Sequence, residues 1–229
     1  LFLWDQNMIE VTPFKGLLYN LDIIGSLDEV TAPSYDVLFE DQQEVLYQKN
    51  PHNMVRLILG KESEKDSETD NRYTRSAKVF EDWINEGILK RDDELGFYIY
   101  SQEYEFEGEN FCRIGFFALV KAEDFSEENI FPHEFTLANA KTDRTKLLNP
   151  CHANLSLIFG LYYDPEGNID FFLQEGIKSK PSTVIDDNKV AHKLWRLNNT
   201  EKNQKIFYLC LIKMNQRICK CCMSWNWTL

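Results

Sequence analysis

Phe97-Tyr98-Ile99-Tyr100-Ser101-Gln102-Glu103-Tyr104-Glu105-Phe106 and Phe111-Cys112-Arg113-Ile114-Gly115-Phe116-Phe117-Ala118-Leu119-Val120 are two apolar, aromatic-rich runs joined across Glu107-Gly108-Glu109-Asn110. Aromatic and β-branched residues suit a pleated surface, and a short Gly-containing connector between two such runs is a hairpin signature. The stripe of Phe97, Tyr98, Tyr100, Tyr104, Phe116 and Phe117 has a second use, the stacking of nucleobases. Core packing is the preferred reading, because these residues are simply good strand formers. Thr183 to Ile185 and Val190 to Leu197 form a second expected hairpin around Asp186-Asp187-Asn188-Lys189.

Working outward, helical periods appear beside these strands. Asn71 to Glu86 places Tyr73, Ala77, Phe80 and Ile84 on one helical face, with Gly87 positioned to end the helix. Glu40 to Lys49 reads as a short amphipathic helix stopped by Asn50-Pro51, Lys141 to Leu148 as another stopped by Asn149-Pro150, and Ile169 to Ile177 as a third. Met54 to Leu59 is a mostly apolar run expected to be a central strand, with Arg56 as its odd member, and Leu155 to Tyr163 is expected to be a buried strand. Thr12 to Asn20 reads as an extended opening segment, 32–37 as a loop set by Pro33, and Asp164-Pro165-Glu166-Gly167-Asn168 as a turn. Lys61 to Asp70 has no apolar residue to offset its ordering entropy and is expected to be a mobile, solvated loop rather than a regulatory acidic arm. The combination is an α+β fold: a mixed sheet with hairpins and short flanking helices in a single globular domain over 1–197, followed by an atypical Cys- and Trp-rich tail over 198–229.

A chain of 229 residues with 43% hydrophobic content can bury a self-sufficient core without a metal or disulfide staple. Its net charge of -12 opposes nonspecific nucleic-acid binding, which runs on clustered Lys and Arg, and no such cluster stands out. No apolar stretch approaches the roughly 20 residues of a spanning helix, so no membrane partner and a cytoplasmic location are expected. The chain opens on Leu1 and not Met, as a fragment or a processed chain would. Cys112 and Cys151 are scattered as small buried hydrophobes are in a reducing compartment.

The most chemically mixed stretch is Pro132-His133-Glu134-Phe135-Thr136-Leu137-Ala138-Asn139-Ala140-Lys141-Thr142-Asp143-Arg144. Lys141 and Arg144 stand three apart, so on a helix both project to one side and can clamp a phosphate, unless Asp143 pairs with one of them and cancels it. His133 or Glu134 would be the general base, since phosphoryl acceptance by a hydroxyl needs a nearby proton acceptor. The alternative is a capped, salt-bridged loop with one structural His. Arg56 is either a strand-end residue reaching solvent or a buried cation with a task. Metal is disfavoured: Cys219 to Cys222 fits C-x-x-C once and adjacent Cys221-Cys222 is poor geometry, while Leu137 stands where a metalloprotease helix needs its second His. No phosphate-binding glycine loop of the conventional nucleotide folds is present.

Pro13-Phe14-Lys15-Gly16, Ala32-Pro33 with Tyr35-Asp36-Val37, Asn53 with Val55-Arg56-Leu57, and Arg72-Tyr73 with Ala77 and Trp83 form one series. Arg113, Gly115-Phe116, Pro132-His133-Glu134 with Thr136, Lys141, Asp143-Arg144, Asn154, Phe159-Gly160-Leu161-Tyr162 and His192 with Leu194-Trp195 continue it. From about Thr12 to Leu197 the chain thereby resembles the family called domain of unknown function 1015 (DUF1015). Relatives usually continue into Asp-Gly-His-His-Arg, similar to the phosphate-gripping loop of the ParB, sulfiredoxin and free-serine-kinase superfamily. That likeness implies nucleotide handling, with ATP or ADP and Mg2+, and phosphoryl transfer. It brings Lys15, Tyr35 and Asp36 toward the same cleft as Arg56, Thr136, Lys141 and Arg144, with His133, Glu134 and Asp143 as the catalytic set; Asp36 is also a natural turn residue. The glycine-histidine motif is absent here, and a truncated or frame-shifted end after Lys205 is expected, leaving this copy inactive. A noncatalytic binding or regulatory protein, accessory to chromosome partitioning in the manner of ParB, is the alternative.

Overall fold

The computed structural model describes residues 10–127, 130–132, 137–162, 164–187, 189–198 and 218–220. It is an α+β protein whose contacts gather into two compact units. The first, the sheet unit, draws on the described residues of Leu1–Gly16, Asp92–Pro132 and Gly160–Lys220; the second, the helical unit, on those of Leu17–Arg91 and His133–Phe159.

The sheet unit is built on the hairpin that the aromatic runs announce. Strands β4 (Gly96–Phe106) and β5 (Glu109–Phe117) pair antiparallel from Phe106↔Glu109 to Tyr98↔Phe117. The turn between them has only two residues, Glu107 and Gly108, with φ of 53° and 82°. Two successive positive φ values make the turn whose twist matches that of the strands, and Gly108 takes the second without steric cost. The second hairpin, β8 (Thr183–Asp187) with β9 (Val190–Asn198), adds to β4 and completes an antiparallel sheet of order β5-β4-β9-β8. Among the described residues parallel pairing is confined to β7 (Ile130–Pro132) with β10 (Ile218–Lys220), so the mixed character expected of the sheet lies outside its four-stranded body.

Period two sorts the sheet residues by face. Phe97, Ile99 and Trp195 pack with Ile169, Phe172 and Leu173 of α6 (Asn168–Gly176) in one buried cluster. Asp164 starts that helix: its carboxylate accepts from the N–H groups of Asn168 (3.1 Å), Ile169 (2.8 Å) and Asp170 (3.0 Å), which the helix itself leaves unpaired. On the opposite face Tyr98 is buried, its hydroxyl accepts from the Gly16 N–H at 2.8 Å, and it donates to Asp92 Oδ2, which also accepts from Arg196 Nε at 2.7 Å. A Cβ on Gly16 would stand 2.6 Å from the Tyr98 hydroxyl and 2.8 Å from its ring. Gly16→Ala therefore has to move a packed ring, and a loss of about 1–3 kcal/mol is expected in urea unfolding.

The helical unit holds α2 (Glu40–Lys49), α3 (Val55–Ile58), α4 (Arg72–Asn85) and α5 (Ala138–Cys151), with a small pairing of β2 (Leu17–Tyr19) and β3 (Leu89–Arg91). Its core gathers Val30, Met54, Val55, Leu57, Ile58, Phe80, Trp83 and Leu147. Asn71 caps α4, accepting from Tyr73 N–H (3.0 Å) and Thr74 N–H (3.2 Å), while Thr74 Oγ1 accepts from the Asn71 N–H at 2.9 Å.

Several expectations are corrected here. The run Met54 to Leu59 holds helix α3, not a central strand: a short apolar run fits either state, and Asn53 decides by accepting from the Val55 N–H at 3.0 Å. Residues 155–162 form no strand; Leu155 is buried, but Ile158 and Leu161 face out. Helix α5 continues through Pro150 to Cys151 and closes on His152, whose left-handed backbone (φ 49°) lets its N–H reach the Leu148 carbonyl at 2.9 Å. On α4, Phe80 is buried and Tyr73 and Ala77 pack against the core as expected, but Ile84 is exposed, and Ser76 and Trp83 complete the buried face. Cys112 is exposed rather than a buried hydrophobe. Stretch 61–70 lacks regular structure as expected, yet it is tied down, for Arg75 holds both Asp66 (2.8 Å) and Asp70 (2.9 Å).

Candidate functional site

Within the helical unit, α4 and α5 bring two arginines onto one carboxylate. Arg72 opens α4, and Asp143 and Arg144 lie midway along α5. Arg72 Nη2 donates to Asp143 Oδ1 at 2.6 Å, and the Tyr73 hydroxyl donates to the same oxygen at 2.7 Å. Arg144 takes the other oxygen, with Nε donating to Asp143 Oδ2 at 2.9 Å. The Arg72, Asp143 and Arg144 side chains are 23%, 19% and 21% exposed, so this is a largely buried cluster whose excess positive charge is met by the exposed Glu62 carboxylate on Arg72.

Arg144 does more than pair. Its Nη1 and Nη2 each donate to the Ile58 carbonyl at 3.1 Å, satisfying an acceptor that the last turn of α3 leaves open. Its guanidinium lies 3.6 Å from the centroid of the Tyr35 ring, a close cation–π contact that fixes the 32–37 loop. In the same loop, buried Ser34 donates to Asp36.

The charge states follow from these contacts. Burial pushes the Asp143 carboxyl up, but the Tyr73 hydroxyl, Arg144 and Arg72 outweigh it and hold the group below its ordinary range. Burial also pushes the Tyr35 and Tyr73 hydroxyls up, against the pull of Arg144 and Arg72 respectively, so both stay protonated at neutral pH. Asp143 is thus an ionised acceptor saturated by donors, suited to positioning two guanidiniums and poorly suited to taking a proton.

The remaining candidates are distributed. Lys141 sits one turn before Arg144 on α5, exposed, and its ammonium makes no ion pair among the described residues. Arg56 does not join the cluster: it is helical, its Nη2 donates to the Tyr47 carbonyl at 2.7 Å in the last turn of α2, and its guanidinium lies 4.4 Å from the Tyr47 ring centroid. Lys15 belongs to the sheet unit, where its Nζ donates to the Asp93 carbonyl at 2.6 Å. His133, Glu134 and Thr136 lie outside the described residues, as does the tail apart from Asn198 and 218–220. Arg72 and Tyr73 lie outside the expected site set; their sequence signals are the pair Arg72-Tyr73 in the family series and, for Tyr73, a place on the expected helical face.

Among the described residues no helix is long and apolar enough to cross a membrane. Fold and site together define an α+β protein carrying a preorganised Arg-Asp-Arg cluster. Residues 11–210 match the family model described as Protein of unknown function (DUF1015), and the chain belongs to that family. No curated protein and no solved structure matches it.

Proposed function

We propose that the helical unit binds a phosphorylated small molecule of the nucleotide class at Arg72 and Arg144, and that the family's reaction is nucleotide-dependent phosphoryl transfer of ParB and serine-kinase type. One observation carries the reading. Arg72 Nη2 is held from within by Asp143, while Nη1 meets the carboxylate of Glu62 at 2.9 Å, and that carboxylate belongs to a side chain 73% exposed at the start of the acidic stretch. Glu62 stands where a phosphate oxygen would stand: an anion on a guanidinium that a buried partner has already oriented. A phosphate brings more charge than a carboxylate and displaces it. Lys141, one turn from Arg144, adds an exposed cation to the same helix. His133 or Glu134 serves as the proton acceptor for the accepting hydroxyl, with Mg2+ on the nucleotide phosphates.

Thermal unfolding with ATP or ADP, each with and without Mg2+, tests the proposal. Ligand at a hundredfold excess over Kd stabilises the folded chain by about 2.7 kcal/mol, and Arg72→Ala removes the shift. Glu62→Gln, which takes away the competing carboxylate, raises nucleotide affinity by about 1.4- to fivefold, a factor set by the roughly 0.2–1 kcal/mol of an exposed ion pair. Absence of any shift at millimolar nucleotide overturns the proposal. A second reading, a noncatalytic regulatory protein, is favoured by the full engagement of Arg144 with Asp143, Ile58 and Tyr35; it predicts a nucleotide shift without ADP formation.

A further inference from the structure

The four-stranded sheet ends in two unlike edges. At one, β8 is five residues long, follows Pro181, and carries exposed Asp186, features that blunt an edge against pairing. At the other, β5 is nine residues long, has no proline, and keeps an unbroken register with β4 along its whole length. Among the described residues no strand pairs with the outer side of β5. Its tip is also apolar: Phe106 is 60% exposed and Phe111 42% exposed, and Tyr104, Phe111 and Phe106 contact one another in sequence with centroids 5.8 and 6.5 Å apart.

The turn fixes which groups point outward. Phe106 and Glu109 close a two-residue turn and so form a hydrogen-bonded pair, after which bonded and non-bonded pairs alternate. Asn110, Cys112, Ile114 and Phe116 consequently direct their N–H and C=O groups away from β4. We propose that a second copy of this chain pairs antiparallel with this edge about a two-fold axis at Phe111, joining two sheets into one of eight strands.

The register follows from symmetry and charge. A two-fold axis between identical antiparallel strands sets some residue opposite itself. With Phe111 at the axis, Asn110 and Cys112 exchange their outward backbone bonds with Cys112 and Asn110 of the other copy, and Glu109 faces Arg113 twice. A centre on Arg113 would set two guanidiniums together; a centre on Cys112 leaves Glu109 opposite Gly115 and Arg113 opposite Phe111; and a centre on Asn110 sets Glu109 opposite Phe111 and brings Arg113 only to Glu107, which lies in the turn and outside the strand. Opposite charges directly across a strand pair stabilise it and like charges destabilise it. Arg113, which already lies 5.8 Å from the Tyr104 ring centroid, keeps that contact in the paired sheet.

Sedimentation of the full chain over a concentration series tests this. The wild type is expected to approach twice the 27.0 kDa mass of one chain. Glu109→Arg and Arg113→Glu each oppose like charges twice and raise the dimer Kd by about tenfold or more, while the double variant Glu109→Arg with Arg113→Glu restores it. Asn110→Pro removes an N–H that faces solvent in the single chain, leaves the fold intact by circular dichroism, and abolishes the dimer. A wild type that stays monomeric, a dimer indifferent to Asn110→Pro, or a double variant no better than the singles overturns the proposal.

Discussion

Replacing Asn53 with Ala is expected to cost about 3–4 kcal/mol, because the side chain closes three hydrogen bonds in a place water does not reach. Asn53 is 0% exposed. Its Nδ2 donates to the carbonyls of Glu29 and Thr31, both at 3.0 Å, and its Oδ1 accepts from the Val55 N–H at 3.0 Å. Alanine leaves two acceptors and one donor behind, and it frees a four-residue helix that is too short to persist on its own. Aspartate is expected to be worse than alanine, since it turns the amide facing two carbonyls into a buried negative charge. Urea unfolding of the two variants checks the order; a loss under about 1 kcal/mol for Asn53→Ala would contradict the assignment.

Asp143→Ala is expected to cost about 3 kcal/mol, toward the lower end of what breaking a buried ion pair costs, since the cluster keeps about a fifth of its side-chain surface in water. The deletion leaves Arg72 and Arg144 as neighbouring cations with no shared anion, and it strands the Tyr73 hydroxyl. pH gives a second readout. The folded state holds the Asp143 pKa below its ordinary value, so the carboxylate's contribution is complete above the ordinary aspartate range and disappears as pH falls through the folded pKa. The stability gap between wild type and Asp143→Ala should therefore be constant near neutrality and shrink in acid below about pH 4. A gap that widened in acid would show that the carboxylate is not held ionised by the arginines.

Much of the sheet was legible because its determinants are local. Gly108 sits at the second position of a two-residue turn, and the alternating aromatics on either side leave one register available. The capped helix from Asn71 was equally readable, since Asn71 and Thr74 cap one another within a single turn. Failures came where distant partners decide. Met54 to Leu59 satisfies strand and helix alike, and what tips it is an Asn53 amide tied to carbonyls more than twenty residues upstream. Pro150 looked like a stop, yet α5 ends one residue later. In the site, Lys141, Asp143 and Arg144 were legible as a charged helix face, and the pairing of Asp143 with Arg144 was one of the foreseen arrangements. Arg72 was not, for its carboxylate partner lies 71 residues away. Arg56 was drawn in by its apolar neighbours, though its guanidinium finds the end of α2 instead.

Arg144 is one guanidinium shared among a ring and a carbonyl from two separate segments and the carboxylate of its own neighbour Asp143. Peeling the Tyr35 loop away would at once wet the exposed cation and loosen its hold on the end of α3, so these pieces fray as one cooperative patch rather than singly. A protease reaching for that loop is therefore expected to be held off by the helix behind it.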